Sequence, residues 1–419
     1  MPKFIINGGR PLRGTVKVSG SKNAVLPMLA ATILTKNDCL LTNVPDIADV
    51  RTMIGLLEFL GSRVVFKNNR LLINNRNLKN HPLPHERVSK MRSSILLLGP
   101  LLARFGSVKM AFPGGCVIGK RSVRAHLNAL RDLGAELIET KDWLYLRAKK
   151  LKPSKFLMWE TSVTATENAL MAAALIPGKS EIHLAAGEPH VQALGEMLKK
   201  MGAKIDGLGS SILKVQGKKS LKGVKHQVIG DYIEMGTWAV AAAIVPGSKV
   251  TITGLNPEQL DSFWSKLAEA GGKFTLQKNQ VTVEYRKGLK AFSKLETRVY
   301  PGFPTDLQAP FALILTQSQG VTRIFETLYE GRFDYLLELE KMGAKAEVYN
   351  EHQALVVGPT VLKGKAVSSC DLRAGATLVL AGLAAKGRTE VDNINYIDRG
   401  YENFEGKLRA LGAAIKRLN

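Results

Sequence analysis

The chain has 419 residues, too many for one ordinary hydrophobic core, so we expect two domains. Hydrophobic residues make up 45% and charged residues 23%, a balance typical of a soluble globular protein. No apolar stretch approaches the roughly 20 residues needed to cross a bilayer, and the first residues contain no signal-peptide core. Cys39, Cys116 and Cys370 are too few, and odd in number, for a disulfide framework, so we expect a reducing cytoplasm.

The unusual bulk property is a formal charge of +23, from 59 Lys and Arg against 36 Asp and Glu. Two interpretations stay open: an anionic partner (phosphorylated substrate, nucleic acid or membrane surface) or a lysine-rich solvated surface. The basic residues are scattered without any block of five or six, and the 6% of aromatic residues do not interleave with them. This pattern disfavours a platform for single-stranded nucleic acid, and we expect no nucleic-acid partner.

Amphipathic stretches that end at a glycine recur along the chain at nearly equal intervals. One example is His126 to Leu133; strand-like residues follow each stretch, such as Arg63 to Phe66 after the first. A helix that stops at glycine and turns into a strand is a common boundary, because glycine adopts the left-handed conformation easily. The glycines of this series are Gly61, Gly134, Gly202, Gly271, Gly343 and Gly412.

A second series of alanine- and leucine-rich stretches runs in parallel with nearly the same period. Their bodies, for example Trp238 to Ile244, are apolar on every side, which predicts helices that are buried all round. The polar residues that open these stretches are Lys22, Arg92, Thr164, Glu234, Asp306 and Arg373.

The two series divide the chain into six repeats. Each repeat reads as a strand, a buried helix, a second strand, an amphipathic helix and two further strands. Three repeats per domain predict an α/β (α+β) fold of two inside-out domains, with buried central helices and sheets that face outward.

The polar beginnings of the buried helices are candidates for chemistry. A helix N-terminus presents free amides and a partial positive charge, so it can bind anions. If both domains aim these ends at one cleft, Lys22, Arg92, Asp306 and Arg373 line it. Ordinary capping explains each residue singly, but it explains less well why cations open three of the six helices, where the dipole disfavours them.

A glycine-rich loop places a thiol beside two cations, in Pro113-Gly114-Gly115-Cys116-Val117-Ile118-Gly119-Lys120-Arg121. Nearby positive charge lowers the pKa of a thiol and makes thiolate available, although a lone cysteine is more often inert core. Glu330-Gly331-Arg332 and Asp398-Arg399-Gly400-Tyr401 occupy the equivalent loops of the fifth and sixth repeats. The dispersed histidines have no metal-ligand spacing, and P-loop and dinucleotide motifs are missing from the sequence, so we expect neither a metal nor a cofactor.

Several segments resemble the UDP-N-acetylglucosamine 1-carboxyvinyltransferase family of enolpyruvyl transferases. They are Ser21-Lys22-Asn23-Ala24, the loop from Pro113 to Arg121, Phe303-Pro304-Thr305-Asp306 with Gln308, Glu330 with Arg332-Phe333, Asp371-Leu372-Arg373-Ala374, and Ile397-Asp398-Arg399-Gly400-Tyr401. The resemblance covers essentially the whole chain. It implies two inside-out α/β domains and transfer of the enolpyruvyl group of phosphoenolpyruvate to the 3-hydroxyl of UDP-N-acetylglucosamine, with release of phosphate. This reaction is the first committed step of peptidoglycan synthesis, and so bears on cell wall biogenesis, cell shape and cell division.

The resemblance also implies roles for individual residues. Lys22, Arg121 and Arg399 clamp the phosphate and carboxylate of phosphoenolpyruvate, while Asp306 is the general base on the sugar hydroxyl and Cys116 the general acid at C3. The full set of expected catalytic and substrate-binding residues is Cys116, Asp306, Lys22, Arg399, Asn23, Arg92, Arg121, Ser162, Val163, Leu328, Arg332, Asp371 and Arg373.

We expect residues 1–21 with 230–419 to form the catalytic domain, with the general base and the phosphoenolpyruvate-binding loops. Residues 22–229 are expected to form the second domain, with the Cys116 loop as a lid and the nucleotide side. The expected partners are the small-molecule substrates phosphoenolpyruvate and a UDP-sugar, and the chain is expected to be a monomer or weak oligomer without membrane insertion.

Three segments depart from the family pattern, all on the nucleotide side of the second domain. Arg121-Ser122-Val123-Arg124 replaces Arg-Pro-x-Asp, Ser162-Val163-Thr164 replaces Ser-Val-Gly and follows Glu160 where lysine is usual, and Gly187-Glu188-Pro189-His190 replaces Arg-Glu-Pro-Glu. Three interpretations stay open: a cell-wall enzyme whose lysines replace the lost contacts, a paralogous enolpyruvyl transferase with a different sugar-nucleotide or nucleoside acceptor, and an inactive descendant. A basic nucleic-acid-binding protein or a repeat scaffold on this fold gives no reason for the Cys116, Asp306 and Arg399 motifs.

Overall fold

The computed structural model describes residues 2–114 and 122–418. These residues divide between two units. Unit 1 contains the chain up to Ser19 together with the chain from Gly230 onward, and unit 2 contains the residues between Gly20 and Ile229. Each unit has its own hydrophobic core. Within the described ranges, no helix combines the length and the apolar run required to cross a membrane.

Apart from the one-turn helices α3 and α13, the helices alternate in chain order between buried and amphipathic ones. They are α1 (Lys22–Ala31), α2 (Ala48–Phe59), α3 (His85–Val88), α4 (Leu98–Phe105), α5 (Arg124–Asp132), α6 (Val163–Ala174), α7 (Pro189–Met201), α8 (Tyr232–Ile244), α9 (Asp261–Glu269), α10 (Gln308–Thr316), α11 (Asp334–Lys341), α12 (Leu372–Ala384), α13 (Asn395–Asp398) and α14 (Phe404–Ala410). Short 3₁₀ turns lie at Thr32–Leu34, Arg92–Leu97, Pro257–Leu260 and Thr305–Leu307.

The strands are short, of three to six residues each. They are β1 (Lys3–Asn7), β2 (Arg13–Lys17), β3 (Cys39–Thr42), β4 (Arg63–Lys67), β5 (Arg70–Asn74), β6 (Ser107–Ala111), β7 (Glu136–Glu139), β8 (Trp143–Arg147), β9 (Lys155–Leu157), β10 (Gly178–His183), β11 (Lys204–Asp206), β12 (Ile212–Gly217), β13 (Val224–Gln227), β14 (Lys249–Thr253), β15 (Lys273–Gln277), β16 (Gln280–Glu284), β17 (Lys294–Glu296), β18 (Gly320–Phe325), β19 (Lys345–Asn350), β20 (Gln353–Gly358), β21 (Ala366–Ser368), β22 (Arg388–Asp392) and β23 (Ala414–Leu418).

These strands form small sheets with a common plan. In three of the sheets, the strand that follows a buried helix pairs parallel with the strand before that helix and antiparallel with another strand, as β10 does with β9 and β12. In those three sheets the buried helix supplies the crossover connection that parallel pairing requires. In two others the parallel partners are exchanged, since β3 pairs with β13 and β14 pairs with β2. The orders are β13-β3-β5-β4, β6-β8-β7 and β11-β12-β10-β9 in unit 2, and β15-β16-β14-β2, β17-β18-β20-β19 and β21-β22-β1-β23 in unit 1.

The second repeat lacks the first strand that the sequence pattern predicts, so its sheet has three strands where the others have four. Only Leu83 bridges to Met110 of β6 in the parallel sense. Pro82 and Pro84 flank Leu83, and because proline has no N–H to donate to a ladder, the pairing stops at one residue. The prediction of an identical strand in every repeat is therefore wrong here.

Three buried helices form the centre of each unit. In unit 1, α8 packs against α10 and α12, and every residue of α8 is buried. In unit 2, α6 packs against α1 and α4. The sheets cover these helices with one face and turn the other to solvent: Ile182 and Leu213 are buried, whereas Lys179 and Lys214 on the same two strands are exposed. The predicted inside-out α/β fold is confirmed.

Two of the buried helices begin later than the sequence pattern predicts. Arg92 and Asp306 lie in 3₁₀ turns, and the regular helices α4 and α10 start after them. Pro100 and Pro310 occupy the third positions of α4 and α10 and lack the N–H that would bond four residues back. The missing hydrogen bond disfavours a regular α-turn upstream of each proline, and Asp306 stands on the tighter turn that leads into α10.

Candidate active site

The carboxylate of Asp306 lies between two buried guanidinium groups of unit 1. Its Oδ1 is 2.8 Å from Arg332 Nη2, and its Oδ2 is 3.2 Å from Nη2 and 3.3 Å from Nε of Arg373. The arginine side chains are 7% and 4% exposed, whereas that of Asp306 is 26% exposed. A carboxylate held by two fixed cations and still open on one side is suited to accept a proton from a bound hydroxyl group.

The N-terminus of α12 positions Arg373. Asp371 is the N-cap residue, and its carboxylate accepts hydrogen bonds from the backbone N–H groups of Arg373 (2.7 Å) and Ala374 (3.0 Å). The resemblance predicts that Asp371 binds substrate; in the structure its carboxylate caps the N-terminus of α12. It fixes the turn from which the Arg373 side chain reaches Asp306.

Burial and neighbouring charge act in opposite directions on the two arginines. Burial opposes the charge of Arg373, but Tyr401, Asp306 and Asp231 outweigh it and raise the pKa of Arg373. Burial likewise opposes the charge of Arg332, and Asp306 outweighs it, so the pKa of Arg332 is raised. Both groups stay cationic at every accessible pH, so they remain fixed hydrogen-bond donors to anionic groups.

Aromatic packing further restrains Arg373. Its guanidinium carbon lies 5.2 Å from the centre of the Tyr401 ring, which is a cation–π geometry. The Tyr401 hydroxyl is 2.9 Å from the hydroxyl of Thr237 on α8, and burial raises the pKa of Tyr401. Tyr401, the last residue of the Asp398 to Tyr401 motif, therefore packs beneath Arg373 and supports it. The sequence did not predict this role.

A second carboxylate, Glu326, lies at the end of β18 and was missed by sequence reasoning. It accepts hydrogen bonds from the hydroxyl of Thr305 (2.7 Å) and from the backbone N–H of Leu328 (3.0 Å). Thr305 also accepts a hydrogen bond from Arg332. Leu328, an expected substrate-binding residue, is thus joined to the surroundings of Asp306. The only signal for Glu326 in the sequence was an acidic residue directly after a strand with alternating burial.

Lys22, an expected phosphoenolpyruvate ligand, opens α1 in unit 2. Its Nζ is 3.0 Å from Oδ2 of Asp49 on α2, and the two side chains are 13% and 3% exposed. Ser21 caps the same helix, because its hydroxyl accepts from the backbone N–H of Ala24 at 3.3 Å, and Asn23 follows Lys22 in the first turn. Asp49 was not singled out from the sequence, where it reads as an ordinary acidic residue in a first helical turn.

The start of α6 carries a buried polar network. The hydroxyl of Thr164 lies 3.1 Å from Nε2 of His126 on α5, and Nδ1 of His126 lies 2.9 Å from the amide nitrogen of Asn168. That nitrogen can only donate, so Nδ1 accepts and the imidazole proton is on Nε2, which donates to Thr164. Burial, reinforced by the charge of Arg92, lowers the pKa of His126 to about 3, so the ring is neutral.

The other expected residues of unit 2 surround this network. Ser162 is the N-cap residue of α6 and Val163 its first residue, and the Ser162 carbonyl accepts from the backbone N–H of Thr166 at 2.9 Å. Arg92 donates to the backbone carbonyl of Ser122 at 3.2 Å, just before α5. The expected nucleotide side of unit 2 therefore gathers the N-terminal ends of α5 and α6 with Arg92.

The remaining predicted residues are Cys116, Arg121 and Arg399. Cys116 and Arg121 lie outside the described residues. Arg399 follows α13, a one-turn helix that ends at Asp398, so of the expected loop only Asp398 is helical, and Arg399, Gly400 and Tyr401 lie in the turn after it. Asp398 itself forms two hydrogen bonds of 2.6 and 2.9 Å with Arg417 on β23, which anchor the turn to the sheet.

Comparison with proteins of known structure first defines the class. The crystal structure of the enolpyruvyl transferase NikO from Streptomyces tendae matches with a TM-score of 0.90 at 25% identity, covering 100% of this chain and 99% of that chain. The family model described as EPSP synthase (3-phosphoshikimate 1-carboxyvinyltransferase) matches residues 6–408. The protein is thus an enolpyruvyl transferase by class.

Curated relatives then define the family. UDP-N-acetylglucosamine 1-carboxyvinyltransferase from Chlorobaculum parvum is 45% identical over 420 residues, covering 100% of this chain and 98% of the relative. UDP-N-acetylglucosamine 1-carboxyvinyltransferase 1 from Caldanaerobacter subterraneus subsp. tengcongensis is 43% identical over 415 residues, covering 99% of each. The chain belongs to the UDP-N-acetylglucosamine 1-carboxyvinyltransferase family, which confirms the resemblance found in its motifs.

Proposed function

We propose that the protein transfers the enolpyruvyl group of phosphoenolpyruvate to the 3-hydroxyl of UDP-N-acetylglucosamine and releases phosphate, the first committed step of peptidoglycan synthesis. The names of full-length relatives at 43% and 45% identity support the substrates. The observation that carries the proposal is the carboxylate of Asp306 held by Arg332 and Arg373, since the transfer needs a base beside fixed cations.

The proposed chemistry is an addition followed by an elimination. Asp306 takes the proton of the sugar hydroxyl as its oxygen attacks C2 of phosphoenolpyruvate, and Cys116 delivers a proton to C3. The resulting tetrahedral intermediate carries both the phosphate and the new ether bond. Loss of a proton from C3 re-forms the double bond as the C2–O bond to phosphate breaks. A positioned base contributes about 10²–10⁴ in rate to such a step.

Fixed cations are proposed to hold the anionic groups of the substrate. Lys22, Arg121 and Arg399 would contact the phosphate and carboxylate of phosphoenolpyruvate, and Arg92 and Arg373 would support them. Guanidinium groups bind carboxylate and phosphate bidentately, so they restrain orientation as well as charge. The 3.0 Å ion pair of Lys22 with buried Asp49 supports its role, because it fixes the ammonium group in place.

We assign the general base and part of the phosphoenolpyruvate site to unit 1, and the Cys116 lid and the nucleotide side to unit 2. Asn23, Leu328 and Arg332 would contact the amino sugar, and Ser162 with Val163 would bind the phosphates of the acceptor through the start of α6. We place the enzyme in the cytoplasm as a monomer or weak oligomer. The free thiols of Cys39 and Cys370 are consistent with a reducing compartment.

A different sugar nucleotide or nucleoside as acceptor is the second candidate. It is favoured by the network at α6, where a threonine hydroxyl held by His126 stands in a position that is usually glycine. Exposed Glu160 and Arg124 also change the charge on this side relative to the family pattern. Both candidates keep the same phosphoenolpyruvate chemistry and differ only in the acceptor.

Phosphate release from phosphoenolpyruvate tests the proposal. The wild type, Cys116→Ser and Asp306→Ala are compared in the presence and absence of UDP-N-acetylglucosamine, with Asp261→Ala as the matched control. Asp261 is also an acidic residue at the start of a unit 1 helix, but it is exposed. Release that depends on the acceptor and is lost in the first two variants supports the proposal. Release with another nucleotide sugar alone transfers the assignment to the second candidate.

A further inference from the structure

Glu326 is a buried carboxylate whose described partners are all hydrogen-bond donors. It is 0% exposed and follows β18 directly. Its Oε1 accepts from the hydroxyl of Thr297 (2.9 Å) and from the backbone N–H groups of Leu328 (3.0 Å) and Tyr329 (3.3 Å), and its Oε2 accepts from the hydroxyl of Thr305 (2.7 Å). Such a set of donors suits the ionised form of a carboxylate in a buried place.

Two hydrogen bonds join Arg332 to Thr305 and Thr305 to Glu326, and their directions follow from the chemistry of the three groups. A guanidinium group only donates, so Thr305 accepts from Arg332 Nη1 with its oxygen lone pair. The one hydroxyl hydrogen of Thr305 is then available for Glu326, which only accepts when it is ionised. The chain therefore runs from Arg332 through Thr305 to Glu326.

Arg332 consequently connects two carboxylates. Nη1 points through Thr305 to Glu326, while Nη2 bonds directly to Oδ1 of Asp306 at 2.8 Å. If Glu326 is neutralised or Thr305 loses its hydroxyl, Arg332 loses one of the two hydrogen-bonded partners that fix the orientation of its guanidinium group. A guanidinium group free to turn would no longer hold Oδ1 of Asp306 in one place, so the carboxylate would lose its fixed orientation towards a bound hydroxyl group.

We infer that Glu326 is a positioning residue for the transfer: through Thr305 it fixes Arg332 and thereby keeps the Asp306 carboxylate available, and through Leu328 and Tyr329 it fixes the neighbouring segment. The inference rests on the proposed function, in which Asp306 is the base and Leu328 contacts the acceptor. Groups that hold a reacting residue within a fraction of an ångström affect the rate strongly although they do not touch the substrate.

Thr305→Val and Thr297→Val form a matched pair that separates positioning from folding. Each removes one hydroxyl that donates to Glu326, but only Thr305 is joined to Arg332. Thr297 is fully buried and also accepts from the backbone N–H of Thr327 at 3.0 Å, so its loss disturbs the fold at least as much. A purely structural role for Glu326 predicts that Thr297→Val is the more damaging change.

The experiment measures kcat, both KM values and the urea midpoint for the wild type, Thr305→Val, Thr305→Ser, Thr297→Val and Glu326→Gln. We expect Thr305→Val and Glu326→Gln to lower kcat by about 10- to 100-fold and to raise KM for the acceptor, with KM for phosphoenolpyruvate within about two-fold. Thr305→Ser keeps the hydroxyl and should have the kcat of the wild type. Thr297→Val should have a kcat within about three-fold of the wild type but a lower urea midpoint. Equal loss of kcat in the two valine variants, or no loss in Thr305→Val, overturns the inference.

The wild type separates failure of this inference from failure of the proposed function. A wild type that turns over while Thr305→Val behaves normally contradicts only the positioning role. A wild type that releases no phosphate contradicts the proposed function, and calorimetric binding of UDP-N-acetylglucosamine then replaces kcat as the readout. In that case the positioning role requires weaker binding in Thr305→Val than in Thr297→Val, and equal binding overturns it.

Discussion

Replacement of Asp306 by asparagine removes the negative charge that lies between Arg332 and Arg373. Asparagine keeps the size of the side chain and one acceptor oxygen, but its amide nitrogen then faces the donors of a guanidinium group. Both arginine side chains are more than nine-tenths buried, at 7% and 4% exposure, so two cations are left close together without this counter-charge. The variant therefore affects the reaction and the stability of unit 1 through separate physical causes.

The loss of the base should lower kcat by about 10²–10⁴. Breaking a buried ion pair by removing one partner destabilises a protein by about 3–5 kcal/mol. Asp306 is 26% exposed, so water already screens part of this interaction, and we expect a loss of about 2 kcal/mol. Phosphoenolpyruvate, an anion, should bind Asp306→Asn at least as tightly as the wild type because Arg373 no longer pairs with a carboxylate.

Three measurements on the same preparations check these effects: phosphate release, urea unfolding and calorimetric titration with phosphoenolpyruvate. Asp261→Asn is the control, since Asp261 is an exposed acidic residue at the start of α9. It should match the wild type in all three. The reasoning is refuted if Asp306→Asn retains kcat within about ten-fold, or if phosphoenolpyruvate binding is lost while the urea midpoint is unchanged.

Three further predictions concern the buried groups and the thiols. Burial lowers the pKa of His126 from 6.5 to about 3. Below about pH 6.5 the unfolded chain therefore binds a proton that the folded chain does not, so the stability of the fold decreases as the pH is lowered. His126→Gln should flatten the loss between about pH 6.5 and 4.5 by about 1.4 kcal/mol per pH unit in urea titrations, and an unchanged slope contradicts this. Asn168→Ala removes three buried hydrogen bonds and should destabilise unit 2 by about 3 kcal/mol, measured by its urea midpoint; a cost below about 1 kcal/mol contradicts the network. A fosfomycin-type epoxide should add once, at Cys116, because burial raises the pKa of Cys39 to about 11 and that of Cys370 to about 12. Peptide mass spectrometry locates the adduct. An adduct on Cys39 or Cys370, or on no cysteine, contradicts the proposed thiol chemistry.

The repeat period was sufficient to predict the architecture. Buried helices that are apolar all round and helix-ending glycines at nearly equal intervals imply the same strand and helix order six times, and the fold follows it. The structure departs from this order beside prolines, each of which changes the backbone only locally. Pro82 and Pro84 remove a strand, and Pro100 and Pro310 turn the beginnings of two helices into 3₁₀ turns.

The partners within the candidate site could not be predicted from the sequence. Arg332 and Arg373 lie 26 and 67 residues from Asp306, and no local pattern says that both bond to the same carboxylate. Glu326 and Asp49 were missed for a similar reason, since buried acidic residues look like surface ones until the fold surrounds them. Motif resemblance indicated the proposed reacting groups, and the tertiary structure showed which residues hold Asp306.

Transfer of carbon from phosphoenolpyruvate to the sugar is the most direct test of the proposed reaction. Carbon-labelled phosphoenolpyruvate is incubated with UDP-N-acetylglucosamine and the wild type, and the sugar nucleotide is recovered for nuclear magnetic resonance. We expect label in an enol ether at the 3-oxygen, in a one-to-one ratio with released phosphate, and loss of the label in Asp306→Asn. Phosphate release without label in the sugar nucleotide, or label transfer that survives in Asp306→Asn at the wild-type rate, contradicts the proposed reaction.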